Sequence, residues 1–229
     1  MQLAVMQPYL FPYIGYFQLI YAADIFLIYD DVSYIKQGYI NRNRVLSSTG
    51  EIRFTVPVPG ASSNRLISDL KFSADVGKVL KTIEQSYSKA PYFKTVFPLI
   101  RQCMEHDDRR IASVCLKSFE AIFAYIGLKK EIKKTSEIDY ERSQSALDRL
   151  IELCCKFETD SYINAPGGRS LYNKSDFATH GIELKFIDSY PVEYRQGSNE
   201  FIPNLSIIDL LMNCSSEEVV TLLGEYELN

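Results

Sequence analysis

The sequence predicts an α/β fold: a mostly parallel sheet with a helical middle segment and an inserted β-hairpin. Three observations carry this. Short apolar runs at Gln2–Met6 (QLAVM) and Ile25–Tyr29 (IFLIY) read as buried strands, and GYFQLIYAA between them fits a short helix. The stretch from about 75 to 157 repeats apolar residues at helical spacing. Short strand candidates then return at 160–163 and 183–187, alternating with helical segments as a parallel sheet requires.

The first thirty residues read β–loop–α–β, and a parallel pair with a crossover helix is their natural closure. Gly38–Leu46 and Glu51–Val58 flank Ser47-Ser48-Thr49-Gly50, a turn-rich linker, and predict a hairpin whose end is marked by Pro57 and Pro59. Asp75 to Ser88 carries Val76, Val79, Leu80, Ile83 and Tyr87 on one stripe, with Asp75 as the expected N-cap. Helices follow over 92–104 and 109–126, the second ended by Gly127. Glu131–Lys134 reads as a strand, and Ser143 or Ser145 is expected to cap a helix that runs to about Phe157. Ser206 can cap another helix, and Ser215–Glu218 (SSEE) signals a short last one. No clear linker divides the chain, so residues 1–229 are expected to form a single α/β domain with a helical subdomain at about 75–157.

Composition narrows the function. The 229 residues carry a net charge of −4, which argues against a nucleic-acid partner. No apolar run reaches the ~18 residues of a membrane span, and the N-terminus lacks a basic n-region, so a cytoplasmic protein with no integral membrane segment is expected. Five cysteines in odd number, without C-x-x-C spacing, read as reduced thiols, and no metal site is expected. No cofactor and no oligomeric state can be read from the residues.

Five constellations could carry chemistry. The loop QPYLFPYIGY (Gln7–Tyr16) lies where the first strand ends and a helix begins, the ligand-bearing edge of an open α/β sheet. Gly15 near that helix start leaves backbone N–H groups free for an anion. Asp30-Asp31 ends the second strand and could accept a proton or hold an amine. In Lys36–Arg44, Asn41 and Asn43 share one strand face while Arg42 and Arg44 share the other, a row of amides and guanidiniums suited to phosphate, carboxylate or sugar hydroxyls. Asn164–Tyr172 carries Gly167-Gly168 after a strand candidate. Asp209 and Asn213 are four apart in an otherwise apolar helix, which suits a buried hydrogen-bonded pair or a site wall.

The opening loop also resembles that of nucleotidylyl transferases and pantothenate synthetase, which implies a HUP-type core as one form of the fold. The corresponding residues here, Tyr13-Ile14-Gly15-Tyr16, lack both histidines of the H-x-G-H motif. A broader resemblance is carried by MQPYLFPYIGYFQLI, Asp30-Asp31, Lys36 with Asn41–Arg44, Ala165–Tyr172 and Phe201 to Asn213. Together these resemble the WbqC-like family, in order over nearly the whole chain. That resemblance implies a role in bacterial surface-polysaccharide synthesis, of the O-antigen or capsule kind. The expected activity is transfer of an acyl or aminoacyl group to a nucleotide-linked amino sugar. The alternatives are a non-catalytic nucleotide-sugar binding accessory protein and a nucleotidylyl transferase-like enzyme. Carried over by position, the family pattern falls on Gln7, Pro8, Phe11, Pro12, Gly15, Tyr16, Asp30, Asp31, Lys36, Asn41, Arg42, Asn43, Tyr172, Ser206, Asp209 and Asn213. Asp30 and Asp31 are the expected catalytic pair. Tyr9, Tyr13 and Tyr16 would stack on a sugar or base, Lys36, Arg42 and the Gly15 helix start would hold phosphate or carboxylate, and Asn41 and Asn43 would read hydroxyls. Many members carry His before Gln-Pro, where this chain has Met6.

Overall fold

The computed structural model describes residues 1–197 and 200–229. Strand β1 (Gln2–Met6) leads through α1 (Ile14–Ala22) to β2 (Ile25–Ile28), and the two strands pair in parallel. The hairpin β3 (Arg42–Ser47) and β4 (Gly50–Thr55) follows, then α2 (Gly77–Tyr87), α3 (Phe93–Met104) and α4 (Ile111–Tyr125). Next come β5 (Glu131–Lys134), α5 (Ala146–Lys156), β6 (Ser161–Asn164), α6 (Lys174–Ala178) and β7 (Glu183–Ser189). The chain closes with α7 (Ile207–Asn213), α8 (Ser216–Leu223) and β8 (Tyr226–Leu228).

The main sheet has six strands in the order β5-β2-β1-β6-β7-β8, and the hairpin forms a separate two-stranded sheet. The first five strands are parallel, and β8 adds to the edge antiparallel to β7. Both faces are covered, as parallel sheets require. Strand alternation divides the core: Ala4, Phe26, Ile28 and Ile163 pack toward α1, α4 and α7, while Leu3, Val5, Leu27 and Tyr162 pack toward α5 and α6. Helix α1 is buried over Gly15–Ile20, on all sides rather than along one stripe, and α4 is nearly so.

The expected elements form, with differences at their ends. The hairpin begins at Arg42 rather than Gly38, and Asn41 instead braces the strand entry through its side chain. Asp75 does not cap α2: the helix begins two residues later, with Val76 at the N-cap and no side-chain cap. Ser145 rather than Ser143 caps α5 by accepting from the Asp148 N–H, and Ser215 and Glu218 form a capping box on α8. Gly127 adopts φ +75° just past α4, the left-handed conformation that suits glycine there.

The strand order sets the position of a site. From β1 the chain steps to β2 by way of α1 on one face, and β6 docks on the other side of β1 after α5 on the opposite face. The direction of winding therefore reverses between β1 and β6. Ligands of open α/β sheets bind at such a reversal, outside the carboxyl ends of the strands.

Candidate functional site: the cleft between β1 and β6

A cavity of about 550 Å³ opens at this reversal. Met6 ends β1 on its floor, Ala165 and Pro166 follow β6, and Ile187 to Ser189 end β7. Gly15, Tyr16 and Leu19 contribute the first turns of α1, and Tyr9, Tyr13, Tyr39, Arg44 and Asn204 complete the wall. A second hollow on the far side of Tyr13 and Gly15, about 580 Å³, shares Ser189 and Asn204 with it.

The loop from Gln7 to Tyr13 is rigid for identifiable reasons. Phe11 is fully buried and holds φ +45°, a conformation that costs a non-glycine residue about 1–3 kcal/mol. Its carbonyl is held by two side chains from distant elements: Asn43 Nδ2 of β3 donates to it, and Ser206 Oγ donates at 2.7 Å. The Ser206 N–H donates to the Arg44 carbonyl, and the Ile207 N–H to that of Pro12. Tyr16 OH donates to the Gln7 carbonyl at 2.7 Å, while the Gln7 side chain has no hydrogen-bond partner among the described residues. The opening loop, β3 and the start of α7 are thus one hydrogen-bonded unit behind the cleft.

Gly15 has a steric role. A Cβ there would lie 2.5 Å from Tyr13 Cε2 and 3.3 Å from Ser189 Oγ. The glycine lets the Tyr13 ring lie across the helix start. No side chain caps α1: the Tyr16 N–H turns back to the Tyr13 carbonyl, and the Ile14 and Gly15 N–H groups remain available near Ser189. The Tyr9 ring stands 5.6 Å from Tyr39 and edge-on to Tyr16 at 6.2 Å. Burial raises the Tyr9 and Tyr13 hydroxyls above their ordinary range, with neighbouring phenols adding to the effect on Tyr9, so both stay neutral donors. Tyr39 is 67% exposed on the loop over the cleft mouth.

The outer face of the hairpin adjoins the cleft. Arg42 and Arg44 project on it from β3, and the register sets Arg53 of β4 directly opposite Arg44. These three guanidiniums, with Tyr39 and Glu51, line a hollow of about 310 Å³. Arg44 and Tyr39 belong to both the hollow and the cleft.

The aspartate pair lies elsewhere on the carboxyl edge. Asp31 is 5% exposed and accepts from Thr135 Oγ1 (2.6 Å), Tyr140 OH (2.8 Å) and Arg142 Nε (2.8 Å). Asp30 accepts from the Ser136 N–H and Oγ, its own N–H donates to Thr135 Oγ1, and it lines a separate hollow of about 240 Å³ with Arg110 and Lys134. Desolvation raises its carboxyl above the usual range, opposed by the Ser136 hydrogen bonds. Neither carboxylate lines the cleft, and Asp30 and Arg42 line different cavities. The cleft does contain Asp188, but Arg169 holds it in a two-point ion pair with Asn229 adding a hydrogen bond, which pulls its carboxyl down to about 2.

The family model described as the WbqC-like protein family matches residues 7–221. The chain belongs to the WbqC-like family. The "Uncharacterized protein Rv1507c" of Mycobacterium tuberculosis is 30% identical over 222 residues, covering 94% of this chain and 95% of its own. No solved structure matches the chain.

The residues carried over from the WbqC-like pattern separate into two groups. Gly15 and Tyr16 line the cleft, and Arg42 and Asn43 the adjoining hollow, to which Asn43 adds its lock on Phe11. Most of the others hold the frame. Asn41 accepts from Tyr34 OH and donates to the Val56 carbonyl. Asp209, fully buried, accepts from Tyr87 OH (2.7 Å) and Tyr194 OH (2.8 Å), and Asn213 donates to the Asp209 backbone carbonyl. Tyr172 packs edge-on to Phe177 on the α6 side of the sheet, and Lys36 is exposed on the loop before β3 without lining the cleft. Tyr39 and Asn204 lie inside the Lys36–Arg44 and Phe201–Asn213 runs without a role of their own in the sequence reading, and Arg53 and Ser189 lie outside every run singled out there. The alternation that paired Arg42 with Arg44 would have found Arg53 once the hairpin register was fixed. Ser189 and Asn204 reach the cleft only through tertiary folding. Among the described residues, no helix is long and apolar enough to cross a membrane, and no cluster of three or more His, Cys, Asp or Glu could hold a metal.

Proposed function

We propose that the cleft binds a nucleotide-linked amino sugar, and that the protein transfers an acyl or aminoacyl group to the sugar amine in surface-polysaccharide synthesis. One observation carries the binding half. The cleft at the winding reversal is built from an uncapped helix start, several tyrosine rings and a guanidinium. Rings stack on a base or sugar face, and the helix start and Arg44 meet phosphate. The pathway rests on the family resemblance.

The chemistry suits an already activated donor. The amine nitrogen attacks the donor carbonyl, the N–C bond forms, the bond to the leaving group breaks with its electron pair, and the proton lost by the amine passes to the departing group or to solvent. An activated donor supplies its own leaving group, so the protein contributes chiefly by holding the two partners together. This fits a cleft whose single carboxylate, Asp188, is already paired with Arg169. Asp30 and Asp31 then brace the carboxyl edge of β2 against β5 and the segment after it.

The test is turnover of nucleotide-linked amino sugars with a panel of acyl and aminoacyl donors, read by mass spectrometry. Transfer should occur with at least one pair and fall more than tenfold in Arg44→Ala. Tight sugar-nucleotide binding without turnover of any donor would leave the accessory-protein reading in its place.

A further inference from the structure

We infer that the hollow on the outer face of the β3–β4 hairpin is a diphosphate site, so that the cleft's ligand is a diphosphate ester rather than a monophosphate. This rests on the proposed nucleotide-sugar reading for the identity of the rest of the ligand, but not for the anion.

Three features of the hollow point to a polyanion. The first is the register. Arg44 and Arg53 are directly opposed across the hairpin, with Arg42 two residues along on the same face. Like charges in directly opposed positions destabilise a strand pair, so nothing in the stability of the hairpin selects this arrangement. The second is the imbalance. Three guanidiniums meet one carboxylate, Glu51, which pairs with Arg44 at 2.6 Å. Arg42 spends its Nε on the Gly38 carbonyl, leaving its terminal nitrogens without a partner among the described residues. Arg53 has neither a hydrogen bond nor an ion pair among them.

The third feature is continuity. Tyr39 and Arg44 line both the hollow and the cleft, so a ligand can run from one into the other without a break. Guanidiniums bind phosphate oxygens through paired N–H donors, and two such forks set on neighbouring strands match two phosphates in series better than one. Arg44 at the junction would face the phosphate nearer the cleft, and Arg53 and Arg42 the farther one. The Arg44–Glu51 pair is the contact that a bound anion would loosen, since Glu51 competes with the phosphate for the same guanidinium.

The probes are pyrophosphate and orthophosphate, titrated calorimetrically into wild-type protein, Arg53→Ala and Arg53→Lys at fixed ionic strength. Wild type should bind pyrophosphate about tenfold or more tightly than orthophosphate. Arg53→Ala should remove most of that preference by weakening pyrophosphate far more than orthophosphate, and Arg53→Lys should restore only part of it. Arg53 is exposed on the hairpin's outer face, so the substitution spares the core; a matching thermal midpoint checks this. Equal affinity for the two anions, or an Arg53→Ala protein with unchanged preference, overturns the inference. The two readings fail separately. Pyrophosphate preference without any sugar-nucleotide binding defeats the proposed function alone, whereas sugar-nucleotide binding indifferent to Arg53 defeats the diphosphate site alone.

Discussion

Asn43→Ala tests whether the cleft wall is held from behind by the opening-loop unit. Asn43 is 3% exposed and makes two bonds: its Nδ2 donates to the Phe11 carbonyl, and its Oδ1 accepts from the Arg44 N–H at 2.8 Å. Alanine removes both. The Arg44 N–H loses its acceptor near the core, which costs about 1–3 kcal/mol, and loss of one of two donors to the Phe11 carbonyl adds about 1 kcal/mol. The expected destabilisation is therefore about 2–4 kcal/mol, equivalent to a fall in thermal midpoint of about 2–4 °C per kcal/mol for a domain of this size. Urea unfolding should show the midpoint falling with an unchanged slope. Ser206→Ala removes the other donor to the same carbonyl. The double variant should then lose more than the sum of the singles, because only then is the strained, buried Phe11 left with no side-chain donor on its carbonyl. A single-variant loss below about 0.5 kcal/mol, or strict additivity in the double, would refute the idea that Asn43 and Ser206 jointly fix this loop.

Other outcomes follow from the same geometry. Tyr194→Phe should cost about 1.5–3 kcal/mol in unfolding experiments, because it deletes a hydrogen bond to the buried Asp209 carboxylate. Desolvation raises both Asp209 and Asp30 above their ordinary value of 3.8. For a raised carboxyl, the favourable contribution is complete below that value and is lost as pH rises through the folded one. Asp209→Asn should therefore flatten the fall in stability that wild type shows as pH climbs from about 4, and an unchanged pH profile would contradict this. Gly15→Ala should push the Tyr13 ring off the α1 start, visible as altered Tyr13 signals in NMR and weaker anion binding with little change in thermal midpoint.

The sheet was legible because its strands are short apolar runs separated by clear turn and cap residues. QLAVM and IFLIY have no other good use, and Ser145, Ser206 and Ser215 mark helix starts by chemistry that needs no tertiary context. β8 was missed because Tyr-Glu-Leu is too short to show a period, and pairing with β7 makes it a strand. Asp75 failed as a cap because the chain turns into α2 two residues later. The site was harder to read. Polar residues such as Asn41, Asn43 and Asp209 look like ligand groups in sequence, and burial turns them into locks. The reverse holds for Ser189 and Asn204, ordinary in sequence and brought to the cleft by the winding of the sheet. QPYLFPYIGY serves both ends: Phe11 and Pro12 anchor the unit, and Tyr9, Tyr13 and Gly15 face the opening.

The central claim is that ligand enters at the β1–β6 reversal and not at the aspartate pair. Calorimetric titration of one nucleoside-diphosphate amino sugar into wild type, Arg44→Ala, Tyr39→Ala and Asp30→Asn separates the two locations. The account predicts losses of about tenfold or more for the Arg44 and Tyr39 variants, with Asp30→Asn close to wild type. Binding that survives both cleft substitutions and collapses in Asp30→Asn would contradict it.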